Sequence, residues 1–281
     1  MQWLRHILSR QHPQIPDTLW QECIAGLPFM RRLSQDELAR LKTLAETLLA
    51  TKPINGAGGL RVADDIAVTI AAQACLPVLN LTLELYRDMP GIIAYPSAFI
   101  VSQSRIDDAG VVHEWREPLA GAALEAGGAV VLSWEDVSGD GLGTPCSNLV
   151  IHEFAHKIDM GRGGANGCPP FLADYHAGLN TRVWQSVFSE AYDDFFHRVE
   201  VLDRQLPDDF DADDPAHEAY YDERYDELFG GLPMDPYAAE DPAEFFAVAS
   251  EAFFVMPEPL AADYPQVFRL LSQYYRQQPL S

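Results

Sequence analysis

The chain has 281 residues and a formal net charge of −23 at neutral pH. This excess of carboxylates disfavours nucleic acids and acidic membranes as partners, because both attract basic protein surfaces. Hydrophobic residues form 48% of the chain, and no segment approaches the roughly 20 apolar residues of a membrane span. We therefore expect one large globular domain or two tightly packed lobes, and neither a nucleic-acid nor a membrane partner.

The cysteines and the first residues both favour a cytoplasmic location. Cys23, Cys75, Cys146 and Cys168 are widely spaced and form no C-x-x-C pair, which is typical of a reducing compartment. The opening sequence MQWLRHILSRQHPQ has neither a long apolar run nor a small-residue cleavage site. We therefore predict no secretory signal.

Residues 1–60 are predicted to form a helical section that packs on a main domain over residues 61–281, unless both belong to a single domain. Ser34 and Glu37 match a capping box, and leucines follow at helical spacing, which we interpret as core packing. The sequence NGAGG at residues 55–59 is typical of a turn or short linker.

Residues 60–88 continue with helical patterns, and residues 89–137 change to strands. The segments at residues 91–95, 98–101 and 129–134 are apolar and are separated by Gly, Pro and Asp. The sequence therefore predicts a small sheet just before the most informative motif of the chain.

That motif is HEFAH at residues 152–156, an H-E-x-x-H string. Thr144-Pro145 matches a helix cap followed by a first helical residue, and nothing over residues 147–160 breaks a helix. On a helix the two histidines lie one turn apart on the same face and can hold one Zn²⁺. Glu153 can then accept a proton from a zinc-activated water. The alternative is an ordinary amphipathic helix with a chance motif.

A catalytic zinc needs a third protein ligand, and a second helix downstream offers one. Asp241 can cap this helix, Pro242 can begin it and Pro257 can end it. Glu244 and Glu251 lie two turns apart on one face, so Glu244 is the candidate third ligand. The alternatives are that Glu244 completes a capping box with Asp241 and that Glu251 is solvated.

Other residues are weaker candidates for the same site. Tyr237, seven residues before Glu244, can stabilise the oxyanion of a tetrahedral intermediate, but a Pro-Tyr surface turn explains it equally well. Cys168 is a minor candidate ligand, because its Cys-Pro-Pro setting is typical of a loop. Glu251 and Asp159 are candidates for accepting the second ring N–H of the ligand histidines.

An acidic segment over residues 200–230 separates the two candidate metal helices. Asp209, Asp211 and Asp213 match the start of an EF-hand loop, but the sixth and twelfth positions of that loop are not Gly and Glu. We interpret the segment as a solvated insertion that can cover the site, not as a calcium loop.

Several separate blocks resemble the Mlc titration factor A family of bacterial zinc metallopeptidases. They lie at residues 81–101, 129–137, 148–160, 166–171, 235–254 and 264–279. The motifs are also similar to the catalytic domain of anthrax lethal factor, where H-E-x-x-H is followed by Y-x₆-E-F-F-A. Residues 237–247 match that string at the same spacing.

The resemblance implies an α+β fold, mostly helical and zincin-like, with a small mixed sheet beside the H-E-x-x-H helix. It implies that His152, His156 and Glu244 bind one Zn²⁺, that Glu153 is the general base and that Tyr237 assists. The implied activity is a cytoplasmic peptidase that hydrolyses peptide bonds, with aminopeptidase-like action on small substrates.

Two further expectations concern partners. The family is also known for binding a glucose-regulated transcriptional repressor, so the alternative function is a regulatory binding protein with a secondary zinc site. We expect a monomer that takes a peptide substrate, and we propose residues 129–134 as an edge strand that pairs with the extended substrate. The alternative is an interior strand without a ligand.

Overall fold

The computed structural model describes residues 14–106, 112–119, 121–123, 127–138, 147–206, 224 and 227–280. The helices of these residues are α1 (Asp17–Ala25), α2 (Gln35–Thr51), α3 (Asp64–Cys75), α4 (Trp134–Ser138), α5 (Leu149–Asp159), α6 (Thr181–Asp203), α7 (Pro242–Val255), α8 (Pro257–Asp263) and α9 (Pro265–Tyr275). The strands are β1 (Ile54–Gly56), β2 (Ile92–Tyr95), β3 (Phe99–Ile106), β4 (Val112–Leu119), β5 (Gly121–Ala123) and β6 (Val130–Ser133). The chain divides into two compact units, one of residues 1–143 and 148–164 and the other of residues 144–147 and 165–281.

The first unit contains a small mixed sheet with the strand order β1-β2-β6-β5. The first three strands are parallel to one another, and β5 runs antiparallel to β6. Ile92, Ala94, Val130 and Leu132 are fully buried, so the middle of this sheet belongs to the core of the unit. Strands β3 and β4 form a separate antiparallel pair.

Strand β6 lies inside the mixed sheet and not at its edge. It pairs with β2 on one side and with β5 on the other. Its backbone N–H and C=O groups are therefore already used, and a peptide cannot add to it as a further strand. The proposal that residues 129–134 pair with substrate is wrong, and the interior alternative is correct. In the described part of the sheet, β5 is the outer strand on this side.

The helical N-terminal part of the first unit matches its sequence signals. The side chain of Ser34 accepts a hydrogen bond from the Glu37 amide, and the Glu37 carboxylate accepts one from the Ser34 amide at 2.9 Å, which completes the capping box. Leu41, Leu48 and Leu49 of α2 are buried, as core packing requires. Helix α3 is shorter than the pattern over residues 60–88 predicts, because Pro77 has no N–H to continue it.

The helix with the H-E-x-x-H motif, α5, begins later than predicted. Its cap is Asn148, whose side chain accepts a hydrogen bond from the Ile151 amide at 2.9 Å. Ser147 precedes the helix, and the predicted cap Thr144-Pro145 lies outside the described residues. The helix ends at Asp159 and continues as one 3₁₀ turn over Met160–Arg162.

The second unit is built around aromatic side chains on α6, α7 and α9. Trp184 stacks on Phe188 with ring centroids 4.3 Å apart, and Phe188 contacts the edge of Phe245. The Tyr264 hydroxyl donates to the Asp194 carboxylate at 2.7 Å and accepts from the Arg198 guanidinium at 3.2 Å. These polar contacts connect α6 to the start of α9.

A buried histidine, His176, connects two backbone segments of the same unit. Its Nδ1 accepts from the Leu172 amide at 2.9 Å, so the ring is neutral and its Nε2 donates to the Tyr274 carbonyl at 3.0 Å. Burial lowers the pKa of His176, and the nearby Arg276 acts in the same direction, against the hydrogen bond to Tyr274.

These observations confirm the predicted fold class: the chain is mostly helical, and a small mixed sheet accompanies the H-E-x-x-H helix. Helix α5 packs against both β5 and β6 within the first unit. In the described part of the chain, no helix combines the length and the apolar character needed to cross a membrane.

Candidate active site

The start of α5 is held by a chain of part-buried hydrogen bonds. Asn148 caps the helix with its side-chain oxygen and donates from its Nδ2 to Oε1 of Gln73, at 2.6 Å. Gln73 lies on α3, is 1% exposed, and donates in turn to the Thr69 carbonyl at 3.2 Å. The first turn of α5 is therefore connected to a helix of the core.

The two histidines of α5 face each other one turn apart, as the motif predicts. Nε2 of His152 and Nε2 of His156 are 3.1 Å apart, and the rings meet edge to face with centroids 4.7 Å apart. His156 is buried and His152 is half-buried. Two ring nitrogens that converge in this way form two corners of a metal site.

The third corner is Glu244, in the first turn of α7. One ligand atom each of His152, His156 and Glu244 lies within 4.8 Å of the others. Asp241 caps α7 by accepting from the amides of Ala243 (2.7 Å) and Glu244 (3.0 Å). The capping position is thus filled by Asp241, and the Glu244 carboxylate belongs to the His-His-Glu cluster.

A second set of side chains runs along α5 beside the histidines. Leu149, Glu153 and Lys157 are four residues apart and so share one face of the helix. Glu153 is 4% exposed, and Lys157 is equally buried. Burial lowers the pKa of Lys157 to about 8, although the Glu153 carboxylate opposes this shift. The carboxylate next to the two histidines is therefore enclosed by protein, with an amine on its own helix face.

The glycine that begins β5 approaches this face closely. A Cβ atom added to Gly121 would overlap Oε1 of Glu153 and would lie 2.5 Å from Cδ1 of Leu149. Gly121 was not among the residues predicted from the sequence. No sequence signal marks it, because residues 121–123 were not predicted as a strand and their pairing with β6 is a long-range property. Gln73 was missed as well, and its signal is a single polar residue in the Ala-rich sequence IAAQAC.

Tyr237 lies on the 3₁₀ turn Pro236–Ala239 that precedes α7, and its side chain is 52% exposed. Asp235 caps this turn by accepting from the Tyr237 amide at 2.9 Å, and the Tyr192 hydroxyl donates to the Ala239 carbonyl at 3.2 Å. Both contacts hold the backbone of the turn. Tyr237 also lines a pocket of about 500 Å³ together with Phe196, Phe229, Glu200 and Asp203.

A loop of the second unit supports the start of α7. Gly167 has a φ of 77°, and a Cβ there would overlap the carbonyl oxygen of Pro242, the first residue of α7. The Trp184 indole donates to the Gly167 carbonyl at 2.8 Å. Glycine is therefore required at position 167 both by the left-handed backbone and by the space next to the helix that carries Glu244.

The remaining sequence candidates lie as follows. Glu251 is buried on α7 and Asp159 is buried at the end of α5, so both stay candidates for contacts with the histidines. Cys168 lines a pocket beside Trp184 and is not among the clustered donors of the described residues. The acidic segment predicted over residues 200–230 begins within α6, and residues 207–223, 225 and 226 lie outside the described residues.

Comparison with known proteins identifies the group to which this arrangement belongs. The model of the family described as glucose-regulated metallo-peptidase M90 matches residues 1–276. This chain belongs to the M90 metallopeptidase family. It is 32% identical over 263 residues to proteins named Mlc titration factor A from Yersinia pestis (strain Pestoides F) and Yersinia pseudotuberculosis (serotype O:1b, strain IP 31758). These matches cover 93% of this chain and 85% of each relative.

Membership of the M90 family and the geometry of the cluster agree with each other. An M90 metallopeptidase needs a metal-ligand set, and two imidazoles and one carboxylate provide it on α5 and α7. The resemblance drawn from the sequence blocks is confirmed, as is the assignment of the chain as a metallopeptidase of this family.

Proposed function

We propose that this M90 protein is a zinc-dependent peptidase that hydrolyses peptide bonds, with His152, His156 and Glu244 as the zinc ligands. The observation that carries the proposal is the convergence of these three donors. Tetrahedral zinc with bonds of about 2.0–2.1 Å separates its ligand atoms by roughly 3.3 Å. The 3.1 Å between the two Nε2 atoms is close to that separation, so the histidines need little movement to accept the ion.

The donor types also favour zinc. Two neutral imidazoles and one carboxylate are a known set for catalytic zinc, which keeps a fourth position for water or substrate. A bound zinc ion would make water more acidic and would polarise the scissile carbonyl. The remaining chemistry falls to side chains of this chain.

Glu153 is the proposed general base. It follows a ligand histidine directly on α5 and is enclosed, so its carboxylate is held beside the ligands with little freedom. In this role it accepts a proton from the attacking water and passes that proton to the leaving amine. A positioned base of this kind contributes about 10²–10⁴-fold to the rate.

Tyr237 is the proposed oxyanion donor. Its turn precedes α7 directly and is held by the Asp235 cap, while its exposed side chain can meet a ligand in solution. A phenol that donates a hydrogen bond to the developing oxyanion stabilises the transition state and not the ground state. Tyr237→Phe is therefore expected to lower kcat without removing zinc.

The proposal is tested with Glu153→Gln, which keeps the shape of the side chain and removes the basic carboxylate. We expect one zinc per chain and a loss of at least about 100-fold in hydrolysis of aminoacyl p-nitroanilides. Glu135→Gln, at an exposed position of α4, is the matched control and should leave both unchanged. Purified protein without zinc, or a zinc-replete Glu153→Gln variant with normal activity, contradicts the proposal.

We also propose that the enzyme acts as a cytoplasmic, monomeric aminopeptidase on small substrates. This proposal rests on the family resemblance, and it predicts that acetylation of the substrate amino group prevents cleavage. Equal cleavage of free and N-acetylated peptides would instead indicate an endopeptidase.

A second function is favoured by the names of the relatives. Proteins called Mlc titration factor A align with 93% of this chain, and their name implies that they bind the repressor Mlc. We propose that this protein can bind a transcriptional repressor of that type independently of hydrolysis. Binding of purified repressor that is equal in wild type and Glu153→Gln supports the second function, and no detectable binding excludes it.

A further inference from the structure

Position 121 requires a glycine because there is no room for a side chain, and not because of the backbone conformation. It pairs with Leu132 in the antiparallel β5–β6 ladder, and its φ lies outside the left-handed region. An alanine backbone can adopt such a strand conformation without strain. What excludes a side chain at this position is therefore the neighbour on α5.

The nearest atom on that helix is Oε1 of Glu153, and Cδ1 of Leu149 is almost as close. An added Cβ would overlap Oε1 of Glu153 and would lie 3.0 Å from its Cδ, while the other close atom is Cδ1 of Leu149. Leucine can rotate its terminal methyl groups, but the carboxylate is enclosed with its helix face packed on β5 and β6. A methyl group at position 121 must therefore displace the carboxylate.

We propose that Gly121 is the positioning residue for the Glu153 carboxylate. The backbone at Gly121 is held by the pairing of β5 with β6, and the Glu153 carboxylate lies directly against it. The contact itself is independent of the activity, whereas its catalytic consequence rests on the proposed function. A general base must lie within about 2.6–3.2 Å of the proton donor, so the contact with Gly121 determines the position from which Glu153 accepts the proton.

The chain offers a matched control for the loss of a glycine. Gly127 lies in the same unit, has no positive φ, and a Cβ there would meet no atom of the described residues within 4 Å. Gly121→Ala and Gly127→Ala are thus the same chemical change, one against the carboxylate and one with no described atom in its way.

The first experiment measures thermal unfolding of the zinc-free protein. Gly121→Ala is expected to lower Tm by about 2–10 °C, as overpacking does, while Gly127→Ala changes Tm by less than about 2 °C. Combining Gly121→Ala with Glu153→Ala should recover at least half of the loss, because the overlapping carboxylate is then absent. Recovery with Leu149→Ala and not with Glu153→Ala would overturn the proposal, and so would equal Tm values for the two glycine variants.

The second experiment measures kinetics and zinc content. Gly121→Ala is expected to retain one zinc per chain and an unchanged KM, while kcat falls about 10–100-fold because the base is misplaced. In the background of Glu153→Asp, the shorter side chain no longer reaches Gly121, so Gly121→Ala should lower kcat less than about threefold. A merely structural role of Gly121 would lower kcat equally in both backgrounds and would overturn the proposal.

The two experiments separate this inference from the proposed function. A wild-type protein without zinc-dependent hydrolysis refutes the peptidase proposal, and the melting data still decide whether Gly121 supports the carboxylate. Wild-type hydrolysis together with an unaffected Gly121→Ala variant refutes the positioning role alone.

Discussion

Replacement of Asn148 by alanine should destabilise the protein more than loss of a helix cap normally does. The Asn148 side chain caps α5 through the Ile151 amide and donates to the buried oxygen of Gln73. Removing an Asn cap costs about 1 kcal/mol. Leaving the 1%-exposed Gln73 oxygen without its donor costs roughly a further 1–3 kcal/mol. The expected loss is therefore about 2–4 kcal/mol.

Asn180→Ala provides the matched control for this prediction. Asn180 caps α6 by accepting from the amides of Arg182 and Val183, but it is exposed. Its loss should cost only about 1 kcal/mol. Urea unfolding of the zinc-free proteins measures both values. In the Gln73→Leu background the extra loss from Asn148→Ala should disappear. Equal destabilisation by the two Asn→Ala changes would refute the argument that Gln73 is linked to the cap.

Three further predictions concern the second unit. Because burial lowers the pKa of His176, its contribution to stability is complete above the unfolded pKa near 6.5 and is lost as pH falls below that value towards the folded pKa. The unfolding free energy should then change by at most about 1.4 kcal/mol per pH unit over this range. His176→Gln should reduce this pH dependence, measured by urea unfolding at a series of pH values, and an unchanged dependence would contradict the assignment. Tyr264→Phe removes the hydroxyl that donates to Asp194 at 2.7 Å and should lower the unfolding free energy by about 1–3 kcal/mol, whereas no change would mean that the contact adds nothing. Gly167→Ala, at a φ of 77° and against the Pro242 carbonyl, should lower the unfolding free energy by about 1–3 kcal/mol and weaken zinc binding in a competitive chelator titration. A zinc affinity equal to that of the wild type would show that the start of α7 can move without disturbing the metal-binding residues.

Local signals made α5 and α7, the helices that carry the His-His-Glu cluster, predictable from the sequence. The spacing of H-E-x-x-H fixes two side chains on one helix face without reference to the rest of the fold. Asp241 and Pro242 act at the start of α7 as their residue types predict. The start of α5 was predicted at Thr144-Pro145 and lies later, because Thr and Asn are both good caps and only the backbone decides that the Asn148 side chain reaches the Ile151 amide.

Two helix starts with the same type of capping motif show why side-chain roles were harder to predict. Ser34-x-x-Glu37 and Asp241-x-x-Glu244 both match a capping box. The Glu37 carboxylate accepts from the Ser34 amide, whereas the Glu244 carboxylate lies with two imidazoles. The two glutamates differ in what stands near them in space, and a pattern of four residues contains no information about that.

Strand positions were the least predictable feature, because pairing is a long-range property. An apolar run such as residues 129–134 has the same sequence whether it lies in the middle or at the edge of a sheet. The deciding neighbour is β5, which has three residues and no alternation that could reveal it. The closeness of Gly121 to Glu153 depends on that pairing and could not be predicted either.

Burial constrains the residue types along most of α7 but not at Glu244. From Phe245 to Phe254 every side chain is buried, so this stretch is constrained by the shape of the interior. Glu244 stands just before it and is half-buried, outside that constraint. A change of ligand at this single position, for example to histidine, could redirect the preference for one metal over another while the interior packing of the helix stays as it is.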